Sequence, residues 1–220
     1  MQRKLDRKLE QLKKRLLKMS SLVEEAIYVS TKALEEKQKE LAEKVIQSDD
    51  KINILEIEID ELCLKLLALF QPQASDLRFI TSMMKINNDL ERMGDLAVNI
   101  AEQTIKTIQL PLVKPLEDIP KMAKAVQQML KDSLNAFVNG DVQLAKDVCT
   151  RDDEIDNLNH KIFRELLDYM IKDVKTIERA VGLILIARHL ERIADLTTNI
   201  CEDVIYMVNG LTIKHHVDQR

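Results

Sequence analysis

Twice in this chain a glutamate, an aspartate and an asparagine follow one another at four-residue intervals: Glu91, Asp95 and Asn99, then Glu191, Asp195 and Asn199. On an α-helix this spacing stacks three oxygen-bearing side chains on one stripe, about 6 Å apart per step. Two earlier segments offer companion stripes: Asp49, Asp50 and Asn53, and Asp152, Asp153 and Asp156. If antiparallel packing sets each stripe against its companion, each pair gathers four or five carboxyl groups. Such a cluster repels itself, so its pKa values rise or a cation sits among the oxygens. Carboxylate and amide oxygens without cysteine suit hard or borderline cations: Mg²⁺, Mn²⁺, iron or Zn²⁺. Two helices that each supply an acid pair are also how helical bundles build multinuclear metal sites. The competing reading has the acids in solvent, paired with Arg92, Arg192 or Lys51. For one such stripe that reading wins; duplication of both stripes and companions favours the cation.

The other chemistry-bearing residues form no second constellation. A ferritin-like oxidase centre needs Glu-x-x-His, but Asn157, Ile186, Thr212 and Ile213 stand three residues before His160, His189, His215 and His216. His160 extends the Asp152–Asp156 stripe by four residues, and its counterpart in the first copy is Ile57, which fits a surface histidine better than a ligand. His215 and His216 fall in a short polar tail. Cys63, Cys149 and Cys201 are widely spaced within apolar periodicity and read as reduced core thiols. Met83 and Met84 read as core packing. No Gly-x-Ser-x-Gly, Walker or other glycine-rich phosphate loop is present, so nothing points to an enzyme.

The elements that must position the stripes come from an internal repeat. Residues 86–105 and 186–205 agree at 10 of 20 positions at an offset of 100, far above chance. Earlier parts match at an offset of 103: Asp49-Asp50-Lys51-Ile52-Asn53 over Asp152-Asp153-Glu154-Ile155-Asp156, and Leu41-Ala42 over Leu144-Ala145. The chain therefore divides into residues 1–112 and 113–220, each predicted to hold three helices. Leu5, Leu9, Leu12, Leu16, Met19, Val23 and Ile27 trace one face of the first helix. Leu41, Val45, Ile52, Leu55, Ile59, Leu62, Leu66 and Leu69 trace one continuous second helix. The break between them is placed at 36–38, aligned with Asn139-Gly140-Asp141 in the second copy. Gln71-Pro72 ends the second helix, and Ser75 or Asp76 is expected to cap the third, which runs to about residue 109. The second half follows as roughly 116–139, 141–169 and 176–208. Helices this long with short turns run antiparallel. The expected fold is all-α: two tandem three-helix bundles, six long antiparallel helices in all, from an internal duplication.

Composition agrees with that outline. Hydrophobic residues make up 45% and charged residues 32%, with only 4 glycines and 4 prolines among 220 residues, the balance of long helices. A net charge of −4, 3% aromatics and no tryptophan argue against a nucleic-acid partner. Apolar stretches are too short to span a bilayer and the first residues lack a signal-peptide core, so a cytoplasmic location is expected. Residues 1–18 carry eight basic side chains (Arg3, Lys4, Arg7, Lys8, Lys13, Lys14, Arg15 and Lys18) against Asp6 and Glu10. A solvated helix face accounts for them better than contact with an anionic membrane surface. A homodimer through a helix face is compatible with the pattern.

Two motifs carry a family resemblance. Pro72-Gln73-Ala74-Ser75-Asp76-Leu77-Arg78-Phe79-Ile80, followed by Asn87-Asn88-Asp89-Leu90-Glu91-Arg92-Met93-Gly94-Asp95, resembles the first-half motif of the PhoU family. His189-Leu190-Glu191-Arg192-Ile193-Ala194-Asp195, then Asn199-Ile200 and Gly210, resembles the second-half motif. The resemblance spans nearly the whole chain. It implies a six-helix, two-bundle cytoplasmic protein that restrains a phosphate ABC transporter and a phosphate-sensing histidine kinase when phosphate is plentiful. Some members bind iron or other metal clusters through paired acidic motifs. Carried over, those metal positions are Asp49, Asn53, Glu91 and Asp95, and Asp152, Asp156, Glu191 and Asp195. Three departures stand out: Asn53 replaces a common acid, Ala194 replaces the usual glycine, and Leu96 and Leu196 stand where histidine is frequent. With Asp156 opposite Asn53, the second bundle is expected to hold the tighter cation site.

The leading expectation is thus a non-enzymatic negative regulator of phosphate uptake and phosphate-starvation signalling. It would be a metal-binding adaptor between the transporter ATPase subunit and the sensor histidine kinase, peripheral at the membrane through them. The alternatives are a carboxylate-bridged metal-dependent enzyme and a plain helical scaffold or interaction module.

Overall fold

The leucine-rich run at the start of the chain forms α1 (Gln2–Glu36), with Leu5, Leu12, Leu16, Met19, Val23, Ile27 and Leu34 buried along one face. Each such side chain contributes about 1.5–3 kcal/mol by leaving water, so the face, more than helix propensity, fixes the element. The computed structural model describes residues 2–211; His215, His216 and the Arg3 side chain lie outside them.

α1 stops where the repeat placed its end. Lys37 turns left-handed (φ 54°), its N–H donates to the Leu34 carbonyl at 3.3 Å, and Gln38 N–H donates to the Ala33 carbonyl at 2.9 Å. The second copy closes the same way around Gly140 (φ 63°), with Asp141 N–H on the Ala136 carbonyl at 2.9 Å. Both are Schellman closures. Only the first forces a side chain into left-handed backbone, at a cost of about 1 kcal/mol.

The second arm of each half is not the single helix expected. It divides into α2 (Lys39–Ser48) and α3 (Asp50–Phe70), which meet at Asp49. In the second half α5 (Asp118–Asn139) leads to α6 (Val142–Thr150) and α7 (Asp152–Lys172), which meet at Arg151. Both junction residues keep right-handed helical backbone, so the chain bends without leaving its path. The cause is local tightening to i→i+3 hydrogen bonds: Ile52 N–H to the Asp49 carbonyl (2.8 Å), Arg151 N–H to that of Val148 (3.1 Å), and Glu154 N–H to that of Arg151 (3.1 Å). Apolar periodicity runs through such a bend unchanged, which is why it left no trace in the pattern.

α4 (Ala74–Thr107) begins before the predicted caps. Gln73 occupies the cap position without a side-chain hydrogen bond, so neither Ser75 nor Asp76 serves there. After the 3₁₀ turn Val174–Thr176, α8 (Ile177–Asn209) ends on Gly210 at φ 71°. Counting each bent arm once, six long helices form two tandem three-helix bundles, with no strand among the described residues.

α4 and α8 form the central pair. Residue 82 of α4 meets residue 203 of α8, where Ser82 Oγ donates to the Asp203 carbonyl (3.3 Å) and Lys85 Nζ to Asp203 Oδ1 (3.1 Å). Residue 182 of α8 meets 103 and 107 of α4: a Cβ on Gly182 would sit 2.4 Å from Thr107 Oγ1 and 2.9 Å from Gln103 Nε2. Because 182 and 203 are the repeat counterparts of 82 and 103, the crossing is antiparallel and approximately two-fold. Lys13 adds a tie between halves, donating to the Val138 carbonyl at 2.8 Å. All three cysteines are free; Cys63 and Cys201 are buried and Cys149 is partly exposed, not fully in the core.

Candidate functional site

In the first bundle α3 packs on α4 through Ile52, and Gly94 sets the closeness. A Cβ at Gly94 would lie 3.1 Å from Ile52 Cδ1 and 3.7 Å from Asp49 Oδ1. The missing side chain lets the bend at Asp49 approach the Glu91–Asp95 stripe. Asn53 Nδ2 donates to Asp49 Oδ2 at 3.0 Å, one helical turn away. That leaves Asp49 Oδ1 and Asn53 Oδ1 buried with no hydrogen-bond partner. Two neighbouring acceptor oxygens without a donor are costly in a folded protein.

Electrostatics place the remaining acids in the same neighbourhood. Burial, then the charges of Asp95 and Asp50, push the Asp49 carboxyl up, against the lowering hydrogen bond from Asn53. Burial also raises Glu91, followed by repulsion from Asp95, Glu56 and Asp49, with Arg92 opposing. In the second bundle burial and the charges of Asp195, Asp156, Asp153 and Glu191 push Asp152 up to about 6. Glu191 is raised by burial, Asp195 and Asp156 against Arg188 and Arg192, and Asp195 by burial and Asp156 against Arg192. Ala194, where the first copy has Gly94, is fully buried in the same seam.

Among the described residues Asp49, Glu91, Asp95, Asp152, Asp156, Glu191 and Asp195 make no ion pair, so Lys51, Arg92 and Arg192 neutralise none of them by contact. Arg151, the nearest cation in sequence, is taken by Asp132 (2.7 Å) and Asp147. Nor do any three carboxylate, imidazole or thiol groups among the described residues converge closely enough to hold a metal ion as they stand. The donor set, all carboxylate and amide oxygen, fits a hard or borderline cation.

Not every stripe residue faces the seam. Asp50, Asp153, Asn99 and His160 are exposed, and so are Asp95 and Asp195 at the rim of the two seams. Asn199 is turned toward α4 and lines a cavity of about 340 Å³ with Met84, Lys85, Asn88, Asp89 and Asp203. The structure also adds residues that sequence reasoning missed. Wholly buried Asn87 donates through Nδ2 to the Glu56 carbonyl (3.0 Å) and to Asp60 Oδ1 (3.1 Å), and its Oδ1 is unpartnered. Burial and Asp60 raise the Glu56 carboxyl. The signal was present: Glu56 and Asp60 continue the Asp49–Asn53 stripe, and Asn87 stands four residues before Glu91. The second copy has Asn159, Phe163 and Ala187 at these places, so the acidic seam is longer in the first bundle.

Comparison with known proteins accords with this arrangement. The PhoU domain model matches residues 16–104 and again 119–204. The chain is 44% identical over 218 residues to the phosphate-specific transport system accessory protein PhoU homolog of Aquifex aeolicus, covering 99% of each chain. The crystal structure of PhoU from Pseudomonas aeruginosa superposes with a TM-score of 0.91 at 38% identity, over 94% of this chain and 99% of that one. The phosphate transport system regulatory protein PhoU from Streptococcus pneumoniae gives 0.88 at 35% identity, over 96% and 99%. On its duplicated motifs, its two-bundle fold and these full-length matches, the chain belongs to the PhoU family.

Proposed function

We propose that this protein is a non-enzymatic, cation-binding negative regulator of phosphate uptake and phosphate-starvation signalling. It bridges the ATPase subunit of a phosphate ABC transporter and a sensor histidine kinase in the cytoplasm. Its relatives are named as accessory or regulatory proteins of phosphate transport, and no helix among the described residues is long and apolar enough to cross a membrane.

The observation that carries the cation reading is the pair of unpartnered buried oxygens on Asp49 and Asn53, set beside carboxylates that burial and mutual repulsion have raised. Asp49, Asn53, Glu91 and Asp95 would hold iron, Mn²⁺, Mg²⁺ or Zn²⁺ in the first bundle, and Asp152, Asp156, Glu191 and Asp195 in the second. Bound metal would offset repulsion and fix the α3–α4 and α7–α8 faces offered to partners. In the second cluster burial, then the charges of Asp195, Asp156, Asp153 and Glu191, push Asp152 up to about 6, a cost that a cation there would offset.

Two measurements test the proposal. Deletion of the gene should derepress phosphate-starvation genes in phosphate-rich medium; unchanged expression and uptake would sink the regulatory reading. Purified protein loaded with Mn²⁺ or iron should retain metal through gel filtration and lose it in Glu91→Ala and Glu191→Ala. Retention by the double variant would refute the site assignment.

A further inference from the structure

The second half carries a thiol pair that the first half lacks. Cys149 lies near the end of α6 and Cys201 on α8; their repeat counterparts are Ile46 and Ala101. Cys149 Sγ reaches the Thr198 carbonyl at 4.0 Å, one turn before Cys201 on the same helix, and each thiol shifts the proton affinity of the other. Cys149 is partly exposed, whereas Cys201 is buried behind it. Reagents in solvent therefore meet Cys149 before Cys201.

We propose that Cys149 and Cys201 form a reversible oxidation site, in which a hydroperoxide converts the facing thiols into an intrachain disulfide that staples α6 to α8. The Cys149 thiolate attacks the peroxide O–O bond, giving the sulfenic acid and releasing the alcohol, or water from hydrogen peroxide, once a proton is taken up. The Cys201 sulfur then attacks the sulfenic sulfur, forms the S–S bond and expels water. In sum two thiols lose two electrons and two protons, and one peroxide is reduced. The disulfide requires the two sulfurs to come to about 2.05 Å, across the seam where Cys149 Sγ already meets the turn of α8 that carries Cys201. The division of roles follows exposure: Cys149 is partly open to solvent and Cys201 is buried, and the neighbouring Cys201 lowers the Cys149 thiol against burial and the charges of Glu202 and Asp152. Cys63 is the internal control, buried alone with its thiol pushed up to about 12 by desolvation and Asp60.

The staple ends three residues before Asp152, so oxidation would hold the α6–α7 bend that presents this carboxylate to Glu191 and Asp195. That consequence rests on the cation reading; the thiol chemistry does not.

The test uses full-length, EDTA-treated protein and hydrogen peroxide. Peptide mapping should link tryptic fragment 147–151 to fragment 193–214 within one chain, with Cys63 free and the link reversed by dithiothreitol. The disulfide should raise Tm by roughly 5–10 °C. Cys201→Ser should stop at a sulfenic acid that dimedone traps on Cys149, and Cys149→Ser should be inert. If Cys149 and Cys201 stay titratable, if Cys63 reacts as fast, or if the link joins two chains, the proposal is overturned. Mn²⁺ titration of the oxidised and reduced forms then reads the link to Asp152 separately: unchanged second-site affinity with an intact thiol map removes that consequence alone, and absence of Mn²⁺ binding in both forms removes the cation reading instead.

Discussion

Replacing Asp152 by asparagine should stabilise the metal-free protein, although it deletes a residue assigned to binding. In the folded chain, burial first and then four neighbouring carboxylates push Asp152 from its ordinary 3.8 to about 6. The folded state thus binds a proton more tightly than the unfolded state, and without cations stability falls as pH rises through the window from 3.8 to about 6. At about 1.4 kcal/mol per tenfold change in proton affinity the shift corresponds to about 3 kcal/mol at neutral pH. Asp152 is partly exposed, and screening by water roughly halves that figure. As the first residue of α7 it also gains some fraction of 1 kcal/mol from the helix dipole, which asparagine forfeits. The net expectation for Asp152→Asn at pH 7.5 in EDTA is a gain of about 1 kcal/mol, or roughly 2–4 °C in Tm. At pH 4.5 the electrostatic gain should shrink to about a third, and it should vanish only below 3.8, where Asp152 is protonated in both states. Saturating Mn²⁺ should reverse the order, since binding stabilises only the protein that keeps the ligand. Thermal melts at both pH values, with and without Mn²⁺, provide the check. A variant less stable than wild type at pH 7.5 in EDTA, or a gain independent of pH, would refute the electrostatic argument.

Three further outcomes follow from backbone and packing. Lys37→Gly should raise unfolding free energy by about 0.5–1 kcal/mol by relieving the left-handed strain; urea denaturation with an unchanged midpoint would contradict this. Asp141 Oδ1 accepts from the N–H groups of Gln143 and Leu144 at 3.0 Å each, so Asp141→Ala should cost about 1 kcal/mol, read as a lower urea midpoint with unchanged slope. Gly182→Ala should cost about 1–3 kcal/mol by overpacking the α4–α8 crossing against Thr107, while Gly94→Ala, where the contact is the flexible end of Ile52, should cost less. Equal losses in the two variants' melts would show that the central crossing is softer than its geometry implies.

Repetition and periodicity made most of the architecture legible. The 103-residue offset located the α1 turn at Lys37, where no glycine or proline marks it, by borrowing the stop at Gly140. The apolar spacing identified the buried faces, and the duplicated acids pointed to the α3–α4 and α7–α8 seams. The bends at Asp49 and Arg151 were not legible, because a tightened i→i+3 turn keeps the apolar period. The cap of α4 was misread because Ser75 and Asp76 have capping side chains, whereas the chain enters the helix through the left-handed Gln71 and Ala74. Glu56, Asp60 and Asn87 lack counterparts in the second copy, where Asn159, Phe163 and Ala187 stand, so the repeat does not mark them.

By itself the sequence determined that there are two helical bundles, which faces of their helices are apolar, and that each bundle has two acidic stripes. Those properties are local: they depend on side-chain type and helical period. Tertiary structure alone decided which stripe residues share a seam, sending Asp50 and Asp153 to solvent and Asn199 to the cavity beside α4. It also left Asp49 and Asn53 with unpartnered oxygens, and set Cys149 against Cys201. Those outcomes depend on how far each helix is rotated and how closely it approaches its neighbour. Rotation and approach are set by packing at residues such as Gly94 and Gly182, and no local pattern encodes them.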